Sequence, residues 1–187
     1  TYKAVSDDIF QNLVALKLVH GSNYNRNNYE NEAKEYLNSI FVYSEAARAT
    51  EYRYLLPVRG IYKSKSSQQY WILQDYVEGV RYSEWKKEEK TDLKLELRIF
   101  RKLLQMFTLL HRKNFFVLDV KQSNFYITDQ DSIVFFDIDI HDKASNIKHY
   151  PEGKEQYVEY YNDKKTDIAL LGIILKERIY VFFARPF

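Results

Sequence analysis

The stretch Asp119-Val120-Lys121-Gln122-Ser123-Asn124 decides the reading, together with Asp137-Ile138-Asp139, which begins thirteen residues after Asn124 at the end of an apolar run. A carboxylate, an ammonium and an amide share one short loop and face a second carboxylate across a two-stranded turn. That set suits a polyphosphate. Asp137 and Asn124 offer the hard oxygen ligands that Mg2+ takes, Lys121 can neutralise a transferring phosphoryl group, and Asp119 can orient a hydroxyl or accept its proton. The same letters also make an ordinary polar turn between strands, so the order of the elements around the loop carries the decision.

Working outward, alternation and β-branched content predict strands over 2–5 and 13–19, joined through Ser6-Asp7-Asp8 as a hairpin. Apolar residues Ala33, Tyr36, Leu37, Ile40, Phe41 and Tyr43 predict an amphipathic helix over 29–48. Strands follow at 54–62 and 70–77, so the first part reads β-β-α-β-β. Beyond residue 78 the character changes. Leu93, Leu97, Phe100, Leu104, Phe107 and Leu110 predict a long helix over 91–113 behind a Thr91-Asp92 cap. Short strands are expected at 115–118, 125–128 and 133–136, and a last helix over 167–183. The whole is an α+β chain of two lobes, 1–78 rich in antiparallel sheet with one helix and 79–187 mostly helical, with a cleft between them.

Composition narrows the function. The chain has 187 residues, 45% hydrophobic and 17% aromatic, enough for one core in a domain of ordinary size or a piece of a larger one. Five scattered Gly cannot make a glycine-rich phosphate loop, and zero Cys removes disulfides, thiol catalysis and Cys-ligated zinc. A net charge of +2 is too weak a balance to argue for nucleic acid or an anionic membrane as the main partner, and no nucleic acid is expected. Charges at Lys176, Glu177 and Arg178 break the most apolar segment well short of the about 20 residues that a membrane span needs. A cytoplasmic setting is therefore expected. His20, His141 and His149 are given no role.

Set in this order, the elements resemble the protein kinase family, serine/threonine type, nearly end to end. Asp119-x-Lys121-x-x-Asn124 is similar to the kinase catalytic loop, and Asp137-Ile138-Asp139 to its metal-binding Asp-Phe-Gly. Val14-Ala15-Leu16-Lys17 resembles the Val-Ala-Ile-Lys strand, whose lysine holds phosphates and pairs with a helix glutamate, Glu32 or, one turn along, Glu35. Leu73-Gln74-Asp75-Tyr76-Val77-Glu78-Gly79 resembles the strand and hinge between lobes. Leu110-His111 resembles the end of the helix before the catalytic loop, Tyr150-Pro151-Glu152 the Ala-Pro-Glu that closes the activation segment, and Asp167 to Gly172 the start of the following helix.

The resemblance implies ATP and Mg2+ as cofactors and a Ser/Thr hydroxyl on a protein as acceptor. It implies Asp119 and Lys121 as catalytic, Asn124 and Asp137 as metal ligands, and Lys17, Glu32, Ala15, Gln74, Asp75 and Val77 around the nucleotide. Gln74 would stand at the back of the pocket and the backbone of Asp75 and Val77 against the adenine.

The chain departs from the pattern in several places. It begins just after the strand of the glycine-rich loop and stops before the later helices, as an internal part of a kinase domain or a reduced relative would. Val117-Leu118 replace His-Arg, Asp139 replaces Gly, and the segment 137–152 is short. Loss of that Arg removes the cation that would pair with a phosphorylated activation loop. Two alternatives stay beside the active enzyme. One is a pseudokinase that binds or scaffolds without turnover; the other, ranked last, is a small-molecule or lipid phosphotransferase on the same fold.

Overall fold

In the computed structural model of the chain, residues 2–5, 13–18, 29–64, 70–85, 92–128, 132–137, 140, 142 and 164–183 are described. The hairpin turn at Ser6-Asp7-Asp8, Asp139 and the 150–152 motif lie outside them.

Strands β1 (Tyr2–Val5) and β2 (Leu13–Leu18) pair antiparallel, with Tyr2 opposite Leu16 and Val5 opposite Leu13. Strand β3 (Val58–Lys63) and β4 (Tyr70–Asp75) complete a four-stranded sheet in the order β1-β2-β4-β3. The β2–β4 register sets Val14 against Asp75 and Ala15 against Gln74. Helix α1 (Tyr29–Ala49) places Ile40, Tyr43, Ala46 and Ala47 in the hydrophobic core that Ile72 of β4 also enters. Phe41, expected on the inner stripe, is instead 67% exposed, because at 100° per residue it falls beyond the face centred on Ile40, Tyr43 and Ala47.

The helix ends without a glycine. The Thr50 hydroxyl donates to the Ala46 and Ala47 carbonyls, and Glu51 and Tyr52 then take left-handed backbone (φ 54 and 57) to turn the chain back. The strand expected over 54–62 begins only at Val58. Pro57 has no N–H to give a ladder, and Leu55 makes a parallel bridge to Phe135 of the other lobe, with Phe135 N–H donating to the Tyr54 carbonyl at 2.8 Å. Residues 54–57 therefore strap the lobes together.

The second sheet comprises β5 (Val80–Arg81), a strand that alternation does not signal, β6 (Phe125–Ile127) and β7 (Ile133–Phe135), all antiparallel. Helix α2 (Leu93–Arg112) is capped by Asp92, whose side chain accepts from Lys94 N–H at 3.0 Å. Its buried face runs through Ile99, Phe100, Leu103, Met106, Phe107 and Leu110, while Leu97 and Leu104, expected inside, are exposed. The apolar letters on this helix outnumber one face, and packing against β7 and α3 (Lys164–Phe183) selects which of them goes in. Phe107, Phe125 and Phe135 stack in sequence at 6.5 and 5.4 Å to centre this core.

The run 115–118, expected as a strand, is not one. Asp167 in the first turn of α3 has no exposed surface, and its carboxylate accepts from Val117 N–H (3.2 and 3.1 Å), from Leu118 N–H (2.7 Å) and from His111 Nε2 (2.8 Å). A carboxylate only accepts, so Nε2 carries the proton. The two amides that a neighbouring strand would have used are thus taken by a side chain, and Leu118 is bent into left-handed backbone (φ 58).

Two outcomes test this account. Asp167→Ala should lower the unfolding free energy by about 3 kcal/mol, since it strands two buried amides and an imidazole, and Asp167→Asn by less because one acceptor remains. Urea unfolding of both, compared with the parent, checks this; a loss under about 0.5 kcal/mol for the alanine variant would contradict it. At Gly79 a Cβ would lie 2.5 Å from the Ile127 carbonyl oxygen, so Gly79→Ala should cost about 1–3 kcal/mol in the same measurement.

Candidate active site

The two sheets meet along a cleft of about 350 Å³. From the upper sheet, β2 contributes Ala15 and Lys17 and β4 contributes Gln74 and Asp75, with Val77 in the link that follows. From the lower sheet come Tyr126 on β6 and Phe136 just after β7. Phe125 and Ile127 turn inward to the core, so the two-residue period of a strand turns Tyr126 the other way, to the cleft, where it meets Phe136 edge-on at 4.8 Å.

At one end of the cleft Lys17 Nζ lies 3.1 Å from Asp137 Oδ1, each side chain about a quarter exposed at 24% and 26%. These residues are 120 positions apart and come from different lobes. Lys17 was expected to pair with a helix glutamate. Glu32 and Glu35 fall on α1, but their side chains lie outside the described residues.

The loop before β6 is built by its own polar groups. Residues Gln122–Asn124 form one 3-10 turn, which brings Asn124 back over Asp119. Asn124 is 5% exposed and its Nδ2 donates to the Asp119 carbonyl (3.1 Å) and to Asp119 Oδ2 (3.2 Å). Because the carboxylate can only accept, the amide nitrogen faces it, and Oδ1 is left to serve elsewhere. Lys121 Nζ reaches the same Asp119 Oδ2 at 2.6 Å. Phe136 N–H donates to the Asn124 carbonyl at 3.3 Å, so Asn124 sits beside the segment that ends in Asp137. Two hard oxygen donors, Asn124 Oδ1 and the Asp137 carboxylate, fit a Mg2+ by donor type.

Several contributors escape sequence reading. The Asp75 carboxylate is gripped by Arg59 of β3 in a two-pronged contact (Nε to Oδ1 2.7 Å, the second nitrogen to Oδ2 2.8 Å), which holds the guanidinium above its ordinary pKa. Its side chain is thus engaged outside the cleft, which is compatible with the backbone role expected of it. Arg81 Nε donates to the Tyr126 hydroxyl at 3.3 Å at the cleft's edge. Behind β5, Arg178 of α3 forms a buried ion pair with Glu96 of α2, donates to the Tyr82 carbonyl at 3.0 Å and lies over the Tyr82 ring at 4.0 Å. Tyr82 in turn donates its hydroxyl to Glu96 Oε2 at 2.9 Å, and burial raises the phenol's pKa. A charged pair on two apolar helices gives no signal in either helix alone.

Among the described residues no helix is long and apolar enough to cross a membrane, and no group of three or more His, Cys, Asp or Glu could hold a metal ion.

Comparison with known proteins agrees with this fold. No curated protein matches the chain. Among solved structures, the crystal structure of the yeast RNA Pol II CTD kinase CTDK-1 complex aligns with a TM-score of 0.61 at 16% identity, over 90% of this chain and 55% of that one. The present chain therefore spans about half the length of that neighbour, and the likeness is one of fold: two lobes, kinase-like. The family model of the ABC1 atypical kinase-like domain matches residues 10–153. The chain belongs to the ABC1 atypical kinase-like domain family.

Proposed function

We propose that the cleft binds ATP with Mg2+ and that the domain transfers the γ-phosphoryl group to a Ser or Thr hydroxyl of a protein. The observation that carries this reading is the meeting of Lys17 and Asp137 at 3.1 Å, one from each lobe, beside the Asp119–Asn124 loop. A cation that can take phosphate oxygens and a carboxylate that can take a metal stand together where the cleft joins the loop.

Lys17 would bind the phosphates, with Glu32 of α1 as its further partner, and Ala15, Gln74, Asp75 and Val77 would surround the base. Asn124 and Asp137 would hold the ion, which when bound neutralises polyphosphate charge. Asp119 would orient the acceptor hydroxyl. Its carboxylate is already fixed by Asn124 and Lys121, so orientation comes without further ordering. Lys121 would meet the charge of the group in transfer, and a lysine at this position is what assigns the Ser/Thr class. The lobes divide between residues 78 and 79 in this reading. A modest charge of +2 supports a protein over a nucleic acid as partner, and the cytoplasm is the setting proposed.

The test is thermal unfolding of the intact protein with and without Mg2+ and ATP. Ligand at a hundred times its dissociation constant should add about 2.7 kcal/mol of stability. Asp137→Asn should remove the magnesium-dependent part, and Lys17→Met should weaken binding with or without the ion. Stabilisation by ATP without phosphoryl transfer to any Ser/Thr protein would leave the binding-module reading. No stabilisation at all would sink the nucleotide site.

A further inference from the structure

One cavity outside the cleft is as large as the cleft itself. Between α1 and β3 a groove of about 370 Å³ is lined by Leu37, Ile40 and Phe41 of the helix and by Val58, Gly60 and Ile61 of the strand. Ile61 stands opposite Ile72, a core residue of β4, so its side chain lies on the core side of the sheet. It is nevertheless 40% exposed, and Phe41 on the helix side of the groove is 67% exposed. Strand β3 is also an end of its sheet: among the described residues it pairs only with β4. In an antiparallel ladder every second residue turns its N–H and C=O away from the partner strand, so this edge holds donors and acceptors ready for a further strand.

The charges along the edge select what can pair with it. Between Glu51 and Asp75 the chain has no acid and four cations, Arg53, Arg59, Lys63 and Lys65. Arg53 and Arg59 are matched by the acids at the two ends of this stretch, Glu51 and Asp75. Lys63 lies instead over the Tyr70 ring, its ammonium 5.4 Å from the centre. A second copy of β3 would bring Arg59 and Lys63 against their own kind, which disfavours edge-to-edge pairing of like strands. A strand with acids meets no such repulsion.

We propose that this groove is a docking site for an extended segment of a partner protein, apolar at its centre and flanked by acids. Its backbone adds to β3, its apolar side chains enter the groove beside Phe41 and Ile61, and its acids lie along the Lys63 end of the strand. The proposal is independent of the nucleotide reading of the cleft.

The probe is a fluorescent peptide of sequence Asp-Glu-Phe-Val-Phe-Glu-Asp, blocked at both ends, and its anisotropy is followed as the intact protein is added. Binding should weaken as salt is raised, and a peptide with Lys for every acid should bind roughly tenfold more weakly. Phe41→Glu should also cost roughly tenfold, whereas Tyr180→Glu, at a site on α3 that is 68% exposed, should change nothing. Methylating the backbone nitrogens of the two Phe, or instead those of Val and the Glu after it, gives two further peptides. One should lose binding and the other keep it, because only alternate N–H groups face β3. Equal loss from both methylations, or loss from neither, overturns strand addition without recourse to any protein variant. Undiminished binding to Phe41→Glu, equal affinity for the lysine peptide, or no binding at ~1 mM peptide overturns the site. A dimer in sedimentation that Phe41→Glu dissociates would give this face to a second copy of the chain and overturn the proposal as well.

Discussion

The geometry of the 119–124 loop depends on one buried carboxylate, that of Asp167. Asp167 has no exposed surface, and two amides and an imidazole engage its carboxylate oxygens. The consequence reaches the site through the backbone. Leu118 is held at φ 58, a conformation costing about 1–2 kcal/mol for a residue with a side chain, and Asp119 follows directly. Without that anchor the apolar run 115–118 would favour extended backbone, and Asp119 would be held only by Asn124 and Lys121. The anchor also joins α2, through His111, to α3, so the loop is referenced to both large helices of the lower lobe. The family resemblance sets a histidine and an arginine at 117 and 118. Val117 and Leu118 supply only backbone N–H groups to Asp167 and bury their side chains in the core, so this clamp does not need those side chains.

A second constraint works on the same helices from the other end. Glu96 and Arg178 are 3% and 1% exposed and pair with each other, with Tyr82 closing the group by hydroxyl, carbonyl and ring. Such a pair contributes little net stability compared with an apolar replacement of the same volume, because desolvating two charges costs several kcal/mol that their attraction roughly offsets. What it fixes is register. Two helices with generic apolar faces could slide by a turn, and only one alignment brings an acid on α2 to an arginine on α3 and both to Tyr82. Since Tyr82 follows directly on Arg81, which edges the cleft, this alignment also sets the lower rim of the cleft.

Much of this was legible in the sequence, for identifiable reasons. Elements with strong periods were found where expected: β1, β2, α1, β4, α2 and α3 each begin or end within a few residues of their predicted bounds. The 119–124 loop and Asp137 stand out in the sequence by residue type and spacing, and the structure sets the two segments side by side, with Phe136 N–H donating to the Asn124 carbonyl. The failures have one cause, which is that a tertiary partner outranked local pattern. Residues 115–118 read as a strand because their letters are apolar, but the acceptor for their amides is a carboxylate 49 or 50 positions away. Residues 54–57 read as the start of a strand, but their partner is Phe135. Phe41, Leu97 and Leu104 read as core because a helical wheel ranks hydrophobicity and cannot say which of two apolar stripes meets a neighbour. The Arg59 grip on Asp75 and the Glu96–Arg178 pair join residues 16 and 82 positions apart, and charges on separate elements carry no mark of pairing.

The 119–124 loop is fixed by its own hydrogen bonds, whereas the contact between the lobes beside it is an ion pair. Lys17 and Asp137 are each about a quarter exposed, so water screens them and their attraction is worth on the order of 1 kcal/mol. That is small beside what each side chain would gain from the proposed ligand, since lysine to phosphate is a charge-assisted contact and a carboxylate is a preferred divalent-ion ligand. In the proposed reading the pair would hold both groups in place at slight cost and give way when a better partner for each arrives together. It would also make the exchange mutual. On the proposed reading, a polyphosphate that took Lys17 but left Asp137 without a cation would uncover a negative charge next to its own phosphates, so the contact would disfavour binding without a metal. The fixed loop and the exchangeable pair are therefore complementary: Asp119 and Asn124 need not move, and the two residues that meet across the lobes can.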